Sequence, residues 1–454
     1  MTSKFKEHIK NINNIALPLV INMITNLLIG LVDQAMVGRI SVFAYAAVGT
    51  VSLTLYSISG ILGMIAIAFN ILGSKIKVLS DDNNTELFNK FTITIALSGF
   101  IGIIFYILIL VFRVPILKIF FSFDGKILEE ASYYLAIYGM SIGLTMILFV
   151  FSSLFKIIKK TKYIFYGSLI ASLSNLVLDY IFIFGKMGFP EMGVTGAAIA
   201  SIISLFINVI IYIYILRDTN VFQLKTNIKN IKYYINQLIK TSLPLMGQEF
   251  LEGTLFNIVI IGIVSRIGVI ETATYTLLFT VINILLMPMH AYSSTSLNLV
   301  GEFSTKNMRK EMRTIPLLCL LLTFLFYLVI SIIYIIFKTK ILGFITNDIT
   351  VIDFSASYII LAIFAQIFNL PHSVYKYSLQ GINKEQWVFI VSLIINIISM
   401  IIIICLVFVA KINLSGIYIG IGINYLVLSI LFYYKYNKII STEYDNNLQN
   451  IKLN

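Results

Sequence analysis

The chain has 454 residues, of which 59% are hydrophobic and 12% charged, with a mean hydropathy of +0.94. Soluble domains carry about 25% charged residues, so the composition excludes a soluble enzyme, a secreted disulfide scaffold and a disordered regulator. The net charge of +12 reads as basic loops on a membrane protein, with no nucleic-acid partner expected.

Crossing a bilayer takes about 20 apolar helical residues, because lipid offers nothing to an unpaired backbone group. Twelve segments qualify in chain order: 15–37, 45–73, 91–112, 133–155, 163–184, 193–216, 242–268, 272–298, 315–337, 355–381, 386–410 and 415–434. The polar stretch before residue 15 predicts no cleavable signal peptide. Placing both termini in the cytoplasm puts 23 of the 33 basic residues in inner loops and tails and nine on the outer side, counting Arg266 at the outer end of span 242–268, with Lys376 inside a span. The expected fold is therefore an all-α polytopic membrane protein of twelve transmembrane helices, its location the cell membrane.

Two short matches suggest a repeat: Leu17-Pro18-Leu19 opens span 1 as Leu243-Pro244-Leu245 opens span 7, and Gly193 to Gly196 is echoed by Asn413 to Gly416. They predict two six-helix lobes related by pseudo-two-fold symmetry, 1–220 and 242–454, joined by a cytoplasmic linker at 221–241. The segment 217–241 contains Arg217, Lys225, Lys229, Lys232 and Lys240. Transporters built on such repeats hold substrate near the midplane, between the repeats.

Of 21 acidic residues, four fall inside spans: Asp33, Asp179, Glu249 and Glu252. Charge in the hydrocarbon costs several kcal/mol and usually faces a wet cavity or a partner. Asp33 and Asp179 are predicted at similar depth, with Asn175 one turn from Asp179 on the same face. Two carboxyls and an amide can share a proton or supply oxygen ligands to Na+. Glu249 and Glu252 share a face of span 7, and Glu252, close to mid-membrane, could titrate with a raised pKa or attract a cationic substrate. Lys376 has two readings, a side chain reaching the interface or a built-in counter-ion for Glu249 or Glu252. His290 and His372 read as packed or pore-lining, and Pro288 and Pro371 as kinks. Cys319 and Cys405 lie in apolar runs, and no P-loop, HExxH, CxxC or Ser/His/Asp set appears. No enzyme activity and no cofactor is expected.

These residues resemble the multidrug and toxic compound extrusion (MATE) family, in its NorM-like branch. Ala16 to Leu19 with Gly30-Leu31-Val32-Asp33-Gln34-Ala35-Met36-Val37-Gly38 is similar to the first-span signature. Asn175 to Asp179 resembles the Asn-x3-Asp pattern of the fifth span, Phe184 to Ser201 the span 5–6 connection, and Phe250 to Phe256 the seventh-span motif around Glu252. The resemblance implies two six-helix lobes and antiport of organic cations or other toxic compounds against H+ or Na+. It implies a coupling-ion site at Asp33, Asn175, Asp179 and Ser201, with Na+ at the first three as the metal option. Glu252, Glu249, Asn369 and Gln34 would line the substrate or cation cavity. Asn369 stands where NorM-like proteins often have Asp, and Ala365 where an aromatic can contribute, which points the coupling ion to the first lobe. The expected partners are small cationic or amphipathic molecules and membrane lipids, with the chain acting as a monomer. The rival readings are a lipid-linked oligosaccharide flippase of the wider superfamily and, in another class, a membrane enzyme or receptor without transport.

Overall fold

A computed structural model describes residues 2–79, 85–217 and 228–452. Helices account for all the regular structure among them, as lipid demands of a backbone that must satisfy itself. Ten helical stretches are long and apolar enough to span, and two bent pairs, at 41° and 46°, raise the total to twelve.

The chain divides into two compact units, 18–246 and 1–17 with 247–454. The first unit begins within α1 (Thr2–Gly38) and contains α2 (Val42–Leu62), α3 (Met64–Leu79), α4 (Thr85–Phe121), α5 (Gly125–Tyr138), α6 (Ser141–Ile157), α7 (Lys162–Phe184) and α8 (Gly193–Leu216). It ends within α9 (Ile228–Glu249). The predicted span 133–155 is thus broken at Gly139-Met140, giving the 41° bend between α5 and α6. Of the expected linker, residues 221–227 with Lys225 lie outside the described residues. From Ile228 it is helix, anchored by the buried Tyr234, whose hydroxyl meets Thr94 at 3.0 Å under the Lys90 ammonium.

The α7–α8 hairpin positions most of the first acidic cluster. Gly185 caps α7 in the left-handed conformation at φ +61°, where its N–H reaches back to Ile181. Gly196 on α8 lies so close to the Phe182 carbonyl that a Cβ would sit 2.7 Å from it. Both glycines are needed to return α8 tightly along α7.

The second unit takes the start of α1, which is helical well before the predicted span. Asn13 accepts from the Tyr292 hydroxyl at 2.8 Å, Lys4 lies 3.7 Å from Glu311, and Ile12, Ile15 and Ala16 are buried. These contacts explain why residues 1–17 belong with the second unit. After a π-helical turn at Phe250–Leu255 come α10 (Phe256–Val264), α11 (Val269–Leu285), α12 (Met287–Thr305), α13 (Arg309–Ile336) and α14 (Lys338–Gly343). They are followed by α15 (Ile349–Ile367), α16 (Asn369–Gly381), α17 (Glu385–Ile404) and α18 (Asn413–Lys452). Pro288 opens α12 at the 46° bend and Pro371 opens α16, each in the first turn, where a missing N–H costs no helical bond.

Two predictions follow from this packing. α4 and α6 cross at Gly102 and Gly143, and a Cβ on Gly102 would overlap the Gly143 backbone. Overpacking costs about 1–3 kcal/mol, so Gly102→Val should lower the thermal midpoint of the purified protein. Gly49→Ala, which meets nothing within 4 Å, should be neutral or slightly stabilising. At the start of α15 the Asp348 carboxylate accepts from Thr350 N–H at 2.9 Å and Val351 N–H at 3.3 Å. The Val351 bond, followed by those of Thr350, holds its pKa below the usual aspartate value. A lowered folded pKa means the cap stabilises fully above the unfolded value and fades as pH falls through the folded one. Asp348→Ala should lower the amide-exchange protection factors of Thr350 and Val351 at neutral pH, and acidification, once the intrinsic exchange rate is corrected for pH, should lower them in wild type.

Candidate functional site

Polar residues at helical spacing build the first cluster from four apolar helices. On α1, Asn22, Asn26 and Asp33 follow one another by four and seven residues and so share a face. On α7 the same spacing aligns Ser168, Ser172, Asn175 and Asp179, and on α8 it aligns Ser201, Ser204 and Asn208. These stripes and Tyr138 from α5 surround a cavity of about 360 Å³, with Asp179 buried behind its wall at 0% exposure. Asp33 and Asp179 lie within electrostatic reach of each other, and both also act on Tyr134, whose hydroxyl meets Ser52 at 3.0 Å.

Hydrogen bonding around this cavity is incomplete. Asn26 accepts from Ser168 at 2.9 Å. Asn22 Oδ1, Asn175 Nδ2 and both Asp179 oxygens are buried without a donor or acceptor. A buried polar atom left unpaired costs about 1–3 kcal/mol. Four of them around one space therefore mark a place suited to water, a proton or a cation. The residues fit Na+ by donor type, since carboxylate, amide and hydroxyl oxygens are its ligands. Among the described residues, no group of three or more His, Cys, Asp or Glu forms a transition-metal site.

The structure thus brings Asp33, Asn175, Asp179 and Ser201 together. Gln34 is exposed and does not line this cavity, because one residue beyond Asp33 it is turned 100° around α1. Asn22, Asn26, Tyr138 and Asn208 were not singled out from the sequence. The signal for the three asparagines was their period of four and seven with a named acid or serine on the same helix.

In the second unit, Glu252 lies in the π-helical turn. Lys376 on α16 forms an ion pair with it, Nζ to Oε2 2.8 Å, the two side chains 17% and 19% exposed. The counter-ion reading of Lys376 is therefore the one the geometry gives. Gln248 donates to Glu252 Oε1 at 3.1 Å and to Ser392 at 3.3 Å, and accepts from Gln380 at 2.9 Å. Gln248 and Glu252 are four apart, as are Lys376 and Gln380, so two helical faces meet rung by rung. Glu249 lies within electrostatic reach of Lys376 and Glu252. Gly253 follows, where a Cβ would sit 2.8 Å from the Glu249 carboxylate. π-turns are rare and recur at functional sites. Periodicity could not show this one, because a single wide turn leaves an apolar helix pattern intact.

Asn369 is buried and its amide is engaged, donating to Gln366 at 2.8 Å and meeting His372 Nδ1 at 3.2 Å. It is linked to the cluster through His372, which packs against Tyr425 and Phe432 and acts electrostatically on Glu252. His290 is exposed.

Known proteins place this architecture. A probable multidrug resistance protein NorM of Thermotoga maritima is 25% identical over 378 residues, 82% of this chain and 80% of its own. Its Bacillus subtilis counterpart is 24% identical over 391 residues, 84% of each. Among solved structures, a MATE transporter of Vibrio cholerae superposes with a TM-score of 0.87 at 18% identity, over 97% of this chain and 99% of its own. A MOP superfamily transporter from Pyrococcus furiosus gives 0.83 at 18% identity over 96% of each. The fold is thus that of the MATE transporters. The MatE family model matches residues 18–181 and 244–409, well over half of the chain and both acidic clusters, and the chain belongs to the MatE family.

Proposed function

We propose that the chain is a secondary active multidrug exporter. It would carry organic cations and other toxic compounds out across the cell membrane by alternating access, in exchange for H+ or Na+, with both termini cytoplasmic and the monomer as the working unit. The observation that carries this is a polar cavity inside an apolar bundle, lined by Asp33, Asn175 and Ser201, with the buried, unpartnered carboxyl of Asp179 one helical turn from Asn175. The names of the NorM relatives support the drug part of the reading.

Electrostatics suits these two carboxyls to ion exchange. Two like charges about 4 Å apart repel by about 4 kcal/mol at an effective dielectric near 20. A proton or Na+ taken between the carboxyls removes the repulsion and changes the net charge of the cavity by one. Asn175, Ser201 and Asn22 supply the remaining oxygens. Binding of the ion then opposes retention of a cationic drug, which is the coupling that exchange requires. Glu249 and Glu252 supply negative charge in the second unit for the drug.

Energised inverted vesicles give the test. Asp33→Asn and Asp179→Asn should each reduce ion-driven uptake of a cationic dye to the level of vesicles lacking the protein, and should restore drug sensitivity to an efflux-deficient host. Full efflux in both variants rejects the assignment. Imposing a Na+ gradient or a pH gradient separately shows which ion drives transport.

A further inference from the structure

Each unit holds one pair of intramembrane carboxyls, and the pairs are neutralised by different means. No basic side chain among the described residues is paired with Asp33 or Asp179, and the Asp179 oxygens lack any donor. At Glu252 both oxygens are already engaged, one by the Lys376 ammonium at 2.8 Å and the other by the Gln248 amide at 3.1 Å. We infer that Lys376 is a tethered cation holding the cation position at Glu252, so that exchange with the solution runs through the Asp33–Asp179 pair alone and Glu249 is the carboxylate left for a ligand ammonium.

Donor chemistry favours this over a shared site. Na+ needs several oxygen lone pairs converging on it, whereas an ammonium and an amide NH2 present hydrogens to Glu252. The amide cannot easily turn over, because Gln248 also accepts from Gln380 and donates to Ser392. Gln380 lies one helical turn beyond Lys376, so one face of α16 supplies both the cation and the brace that keeps its partner aligned. The charges nearby are unequal: one lysine acts on two glutamates. His372, His290, Tyr377 and Tyr425 complete the titratable groups acting on the pair. With the Lys376 ammonium on Glu252, Glu249 is the carboxyl of this cluster for which the described residues show no ion pair.

The inference deepens the exchange reading and rests on it for the claim that one unit suffices for coupling; the occupancy of Glu252 does not depend on it. The test measures cation uptake by the purified full chain in lipid nanodiscs, as radiolabelled Na+ and as protonated-carboxyl bands in infrared difference spectra. Lys376→Gln should take up one more cation per chain than wild type, as bound Na+ or as a new carboxyl band, and adding Glu252→Gln should abolish that gain. Lys376→Arg should match wild type. A Lys376→Gln protein that gains neither signal overturns the inference. If that variant does not fold, the doubly neutral Glu252→Gln/Lys376→Gln protein decides: uptake equal to wild type is expected, and loss of a cation overturns it. Absence of ion-driven efflux in wild-type vesicles would sink the exchange reading and leave these stoichiometries standing.

Discussion

Hydrocarbon has no hydrogen-bond partner to offer, and everything in this molecule answers to that fact. It turns the backbone into helices and forces polar side chains inside them to find each other. Ser296 meets Ser378 at 2.8 Å and Ser373 meets Ser293 at 2.9 Å, joining α12 to α16. Asn424 links Asn396 and Ser399 between α17 and α18. Tyr327 reaches the Ile363 carbonyl at 2.6 Å. Small residues make such seams reachable: Gly381 lets α16 approach the Leu297 carbonyl closely enough that a Cβ would stand 2.7 Å from it.

Against that background the two acidic clusters stand out because they meet the same constraint in opposite ways. Glu252 is answered internally, by a lysine and a braced glutamine, and forms a network that is close to closed. Removing one partner of a buried ion pair costs about 3–5 kcal/mol, so such a network holds its helices as well as its charges. Asp33 and Asp179 have no basic partner among the described residues, and Asp179 lies beside amide groups with unused hydrogen-bonding capacity. A site left open in this way is what the proposed exchange would use, since a cation entering it would change its charge. The asymmetry is chemical, although the family model matches comparable stretches of both units.

Much of this was legible in the residues themselves. Long apolar runs predict spans because length and hydropathy are the whole requirement for crossing a membrane. Asp33 and Asp179 were legible because an acid in such a run is expensive enough to need a reason. Less was legible where the helix continues beyond the membrane or breaks within it. α1 starts at Thr2 because Asn13 and Lys4 find partners far along the chain, and the bend between α5 and α6 comes at a glycine that hydropathy does not register. The stripes of Asn22, Asn26 and Asn208 needed the helical period and a known neighbour before they could be read.

The sequence by itself determined the class, the number of spans and which carboxyls lie in lipid, since these depend on composition and local spacing alone. Tertiary structure decided which charges meet. Lys376 could equally have reached for an interface, because a flexible four-carbon stem is compatible with either end. Only the placement of α16 beside the π-turn, 124 residues away in sequence, made it the partner of Glu252. Likewise, only the α7–α8 hairpin beside α1 gathered Asp33, Asn175, Asp179 and Ser201 about one cavity. Long-range packing settles these pairings, and no local pattern encodes it.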